Sequence, residues 1–156
     1  MSPYAPAIRA VARGALTRLR AQLPGAVEIV YDNYNALVIG FGPTARTSDA
    51  ICSIALYPRW VTLFFLDGAA LPDPRRILQG GGKIVRHVVL TSAAGVDAPA
   101  VRTLLRHARR RASTPFHQGA RRLVIKSISA KQRPRRPKGR KGLPREKTRN
   151  GKYTRG

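Results

Sequence analysis

The chain is poor in several things, and each scarcity narrows what it can be. It has one cysteine, Cys52, in 156 residues, so no internal disulfide can form and a reducing, cytoplasmic setting is expected. Acids are scarce, with 7 Asp and Glu against 30 Lys and Arg. Long apolar runs are missing: no stretch approaches the ~20 apolar residues of a membrane span. The opening Met-Ser-Pro-Tyr-Ala-Pro lacks the charged and apolar regions of a secretory leader. The Arg-rich, acid-poor first 22 residues have the composition of a transit peptide, but their apolar spacing favours a helix docked on a core. Three histidines, His87, His107 and His117, show no metal-ligand spacing, and no cofactor is called for.

What is present in excess is positive charge. The formal net charge is +23, a field that attracts nucleic acid, anionic surfaces or acidic protein and says nothing about fold. Residues 1–130 hold 18 bases and 6 acids, and residues 131–156 hold 12 bases and 1 acid. The hydrophobic share of 43% is ordinary for a globular chain. The sequence thus divides into one domain, 1–130, and a basic Arg/Lys/Pro/Gly tail, 131–156, which cannot bury enough apolar surface to offset its chain entropy and is expected to be disordered alone.

Taken in order, Ile8, Val11, Ala12, Ala15, Leu16 and Leu19 fall on one face of a helix, which Pro24-Gly25 stops. Val27 to Asp32 alternates as a strand with one wet face would. Ala36 to Phe41, Ile51 to Tyr57 and Trp60 to Leu66 predict three more strands. Only Pro58-Arg59 separates the last two, which forces an antiparallel hairpin. Ile84 to Leu90 reads as a fifth strand. Asp97 is the expected N-cap of a second helix, with Pro99 in its first turn. There Val101, Leu104, Leu105 and Ala108 form an apolar stripe, and Arg102, Arg106, Arg109 and Arg110 face water. Leu123 to Ile128 predicts a short last strand. The order implies an α+β two-layer sandwich: a mainly antiparallel sheet of five to six strands, with an N-terminal and a C-terminal helix on one face. The short connections of the first four strands exclude parallel crossovers there.

The stretch from Trp60 to His87 carries the most suggestive chemistry. An apolar strand leads through a Pro-punctuated loop to Gly80-Gly81-Gly82, followed by Lys83, Arg86 and His87. A phosphate-binding P-loop would need Gly at position 77 and Ser or Thr at 84, where Ile77 and Ile84 stand. A weaker anion site survives, in which Gly81 and Gly82 expose N–H groups beside Lys83, Arg86 and His87. The competing reading is a tight glycine turn with no ligand. Cys52 among Ala50, Ile51 and Ile54 reads as core rather than nucleophile, and Asp67 and Asp73 read as turn residues rather than an acid–base pair. Tyr57 and Trp60 border a two-residue turn, where capping a sheet edge competes with base stacking. In the tail, Arg133, Arg135, Arg136, Lys138, Arg140 and Lys141 are interleaved with Pro134, Pro137 and Gly139, an extended polyanion-binding arm. With one aromatic, Tyr153, it promises no sequence readout.

Three runs together resemble the YdhG-like family, small bacterial proteins of unknown function: Phe65 to Pro74, Leu78 to His87 and Leu123 to Pro137. The resemblance covers about residues 8–137 and implies a small frataxin-resembling α+β fold with no established enzymatic activity. Iron handling, linked to some relatives, uses an acidic surface in frataxin-like proteins. Here the six acids of residues 1–130 are scattered and outnumbered threefold by bases. The leading expectation is therefore a non-enzymatic binding protein that holds RNA or DNA weakly and without sequence specificity, with no membrane partner and no metal. A frataxin-like iron or small-ligand carrier, with its ligand near Asp67, Asp73 and His87, is the alternative. The sequence does not set the oligomeric state.

Overall fold

The structure, a computed structural model, describes residues 1–137. Helix α1 spans Pro6–Gln22 and buries Ala12, Ala15, Leu16 and Leu19, the stripe its spacing predicts. Pro6 opens its first turn, where a missing N–H leaves no intrahelical bond unmade. Its exit turns on Gly25, whose φ of 80° is a backbone shape other residues resist. A side chain there would also strike the carbonyl of His117. Six strands follow: β1 Val27–Asp32, β2 Leu37–Gly42, β3 Cys52–Leu56, β4 Val61–Phe65, β5 Arg86–Leu90 and, after the second helix, β6 Arg122–Ile128. Helix α2 spans Pro99–Arg110 and buries Val101, Leu104, Leu105 and Ala108.

The sheet order is β5-β4-β3-β2-β1-β6. The first five strands form an antiparallel meander, and the β3–β4 hairpin closes on a Tyr57 N–H to Trp60 C=O bond of 2.9 Å. β6 departs from the antiparallel expectation and pairs parallel to β1. The reason is topological. β5, fifth in the meander, runs the same way as β1, and α2 carries the chain back before β6 begins, so β6 must run with β1. The sheet is mixed, and the second helix is followed by an edge strand rather than ending the domain.

Paired residues share a face, so the register shows which side carries the core. Ile39, Ile54, Leu63 and Val88 form one row, and Phe41, Cys52 and Phe65 another. Both rows join the apolar faces of the two helices in one cluster. Burying each large apolar side chain in such a layer contributes about 1.5–3 kcal/mol. The same register places Glu28, paired with Phe41, on the helix side. The alternation of β1 therefore does not mark a wet face, because Glu28 is 1% exposed. Arginines from α1 and from the approach to β6 cover it.

Asp97 does not cap α2. The residue at the cap is Ala98, with no side-chain hydrogen bond. The Asp97 carboxylate instead accepts from Arg18 Nε at 2.7 Å and Gln22 Nε2 at 3.1 Å, tying the start of α2 to α1. The basic segment expected to begin at Lys131 is packed onto the body as far as Pro137. Ser129 N–H bonds to the Asp32 carbonyl and Arg133 N–H to the Tyr34 carbonyl, both at 2.8 Å.

Candidate polyanion interface

The glycine-rich loop brings its five candidate residues near one another without aiming them at one ligand. Gly80 has φ 118°, the tight turn in which glycine is favoured. Gly81 and Gly82 have open space where a side chain would stand, and Lys83 is exposed. Arg86 and His87 are adjacent in β5, so they point to opposite faces of the sheet. Arg86 Nη1 donates back to the carbonyls of Gly82 and Val85. His87 lies against Phe64, ring centroids 5.5 Å apart, and its backbone exchanges bonds of 2.8 and 2.9 Å with Gln79. The loop is a cationic surface on which Arg86 spends Nη1 on its own backbone.

The tail residues divide. Lys138, Arg140 and Lys141 lie outside the described residues. Arg133 is exposed, and Arg136 donates from Nε to the Pro3 carbonyl at 3.2 Å. Arg135 is no surface residue: it is 4% exposed. Its Nη2 donates to Asp32 Oδ1 at 2.7 Å and to the Asn33 carbonyl, and its guanidinium lies over the Tyr4 ring. The Tyr4 hydroxyl in turn donates to the Leu56 carbonyl at 2.9 Å, and burial, the dominant influence, pushes its pKa up.

The six acids of residues 1–137 all have partners within the protein, Asp67 and Asp97 at its surface. Glu28 binds Arg20 and Arg121 with both oxygens, Asp32 binds Arg135, Asp67 binds Arg111 and Asp97 binds Arg18. Asp49 accepts from the Thr44 hydroxyl at 2.6 Å. Asp73 accepts from the N–H groups of Ile77 and Leu78, the local turn its position between prolines suggests. Five arginines share four carboxylates this way. Against 6 acids the same residues carry 22 Lys and Arg, so the surplus is left to solvent.

That surplus gathers along α2. An open cleft of about 580 Å³ lies between α2, the C-terminal end of α1 and the turn at Asp97, and Arg102, Arg106 and Arg109 line it. Arg109 Nη1 donates to the Pro24 carbonyl at 3.0 Å, and its guanidinium stacks 4.4 Å from the centre of the Phe116 ring. Arg106 Nη2 donates to Thr103 Oγ1 at 3.1 Å. The arginine face is legible from helical spacing alone. The cleft is not, since Gln22, which also lines it, comes from a helix some 80 positions earlier in the chain.

For catalytic or metal chemistry the described residues offer little concentration. Cys52 is fully buried, and burial pushes its thiol up to about 12. Asp67, Asp73 and His87 have separate partners, and among the described residues no three His, Cys, Asp or Glu side chains are grouped to hold a metal ion. No described helix is long and apolar enough to cross a membrane. Comparison with protein-family models, curated proteins and solved structures finds no match for this chain.

Proposed function

We propose that this protein is a small non-enzymatic binding module that holds nucleic acid by its phosphates, weakly and without sequence readout. The observation that carries the reading is that every acid in residues 1–137 already has a partner within the protein, which leaves an excess of unpaired cations on the exterior, with the arginine row of α2 lining an open cleft. Arginine is suited to phosphate because its planar fork offers two parallel charge-assisted bonds. Phosphate contacts position a ligand and carry no sequence information. The buried, protonated thiol of Cys52 and the internally engaged carboxylates support a module without a catalytic step. The same reading makes the chain a cytoplasmic, YdhG-like protein of frataxin-resembling fold, on the strength of the three motif runs. No observation favours the carrier alternative at Asp67, Asp73 and His87.

The test is salt-titrated binding of a short RNA and a short DNA duplex to the full chain. If 6–10 phosphates are engaged, affinity falls by about 10³–10⁵ between about 50 and 200 mM salt. A full-length variant with Lys138→Gln, Arg140→Gln and Lys141→Gln measures the arm's share, each lost contact lowering the log–log slope on duplex DNA by about 0.9. Absence of binding at about 0.15 M salt would overturn the function.

A further inference from the structure

Resting on that reading, we propose that the folded body holds a defined seat for a nucleic-acid strand: the α2 cleft, where Arg102 and Arg106 each take one of two successive phosphates and Arg109 forms the rigid end wall.

The spacing is set by the helix. Residues i and i+4 lie on one face, and at 1.5 Å rise per residue Arg102 and Arg106 stand about 6 Å apart along the axis. That is close to the separation of neighbouring phosphates on one extended strand. Charge favours the site as well. Helix α2 contains no acid. The cleft's one carboxylate, Asp97, is already matched by Arg18 and Gln22. An entering phosphate therefore meets guanidinium groups without an unpaired carboxylate to oppose it.

The donors are available. A guanidinium carries five N–H groups, and Arg106 and Arg109 each spend one on the protein, on Thr103 Oγ1 and on the Pro24 carbonyl. Arg109 is held by that bond and by the Phe116 ring, so less side-chain entropy is lost when it meets a ligand. Phe116 is covered by Arg109, and among the described residues no aromatic ring lines the cleft. The seat therefore grips the backbone and leaves the bases unread, so oligonucleotides of different sequence bind alike.

The test uses the full chain and fluorescein-labelled oligouridine, with affinity measured across a salt series. The double variant Arg102→Ala/Arg106→Ala loses two phosphate contacts. Its log–log salt slope falls by about 1.4 and its affinity by about tenfold near 0.1 M salt. The variant Arg102→Lys/Arg106→Lys keeps the wild-type slope, which separates charge from packing. The control Arg46→Ala/Arg59→Ala removes two exposed arginines away from the cleft and leaves the slope within a few tenths. An equal loss in the control would mean a diffuse surface, overturning the seat while the polyanion reading stands. Displacement by inorganic triphosphate as effective as by oligouridine, phosphate for phosphate, would mean a small-anion pocket and also overturn it. Absence of oligouridine binding by the wild type overturns seat and function together.

Discussion

Glu28 stands on the helix-facing side of β1 with both carboxylate oxygens taken, by Arg20 from α1 at 2.8 and 3.0 Å and by Arg121 at 2.6 and 3.2 Å. Burial pushes this carboxyl up, and the two arginines outweigh it, so its pKa lies below the usual value. A depressed carboxyl contributes stability that is complete above its unfolded pKa, about 4.3, and is lost as pH falls through the lower folded value. Glu28→Gln is expected to cost about 2 kcal/mol near neutrality, lowering Tm by roughly 4–8 °C. The gap between variant and wild type should stay flat above about pH 5 and close on further acidification. Thermal melts from neutral to acid pH check this, and a gap that widened on acidification would contradict it. At Cys52, with its thiol at about 12, a thiol-specific reagent at pH 8 should label the native chain only as fast as it opens and label it at once in denaturant. Glu28 does not announce its environment in the sequence, where it looks solvated, whereas the apolar neighbours of Cys52 read as core and the thiol is fully buried.

At the scale of elements, the exit of α1 and the placing of β6 are the two joints most sensitive to change. Gly25 needs its left-handed backbone and has the His117 carbonyl where a Cβ would stand. Gly25→Ala should therefore destabilise by more than the ~1 kcal/mol of backbone strain alone, read as a lower midpoint in urea with an unchanged slope. β6 is pinned at both ends by acids of β1, at Glu28 through Arg121 and at Asp32 through Ser129 and Arg135. Its side chains are mostly exposed, Ile128 at 66%. Helix and strand identities were legible, because periods of 3.6 and 2 are local properties. The parallel pairing of β6 was not, because it depends on the direction in which α2 returns the chain.

For the whole molecule, charge is the dominant fact. With the six acids of the described residues already partnered and 22 bases beside them, repulsion between the remaining cations opposes compaction and is screened by salt within about 10 Å at 0.1 M. Added salt is therefore expected to raise the melting temperature of the free protein while it weakens the proposed nucleic-acid binding, two opposite responses measured in one titration series. A melting temperature that fell with salt would mean that the buried and half-buried ion pairs outweigh the repulsion. Arg135 belongs at this scale too. It was legible as one cation among many in a basic tail, and only the meeting of Tyr4, Asp32 and Asn33 over 100 residues away makes it part of the body.

The amino-acid sequence is enough for the class of the molecule: an α+β body with a continuous apolar core, a single thiol and a large excess of base. Those follow from composition and local period, which need no knowledge of what meets what. The tertiary structure decided which charges remain free. Pairing depends on distances across the fold, and it turned Arg20, Arg121 and Arg135 inward onto carboxylates. It left Arg102, Arg106 and Arg109 along a cleft that Gln22 of the distant α1 also lines. A guanidinium's role is set by its nearest carboxylate, and that neighbour is chosen by packing.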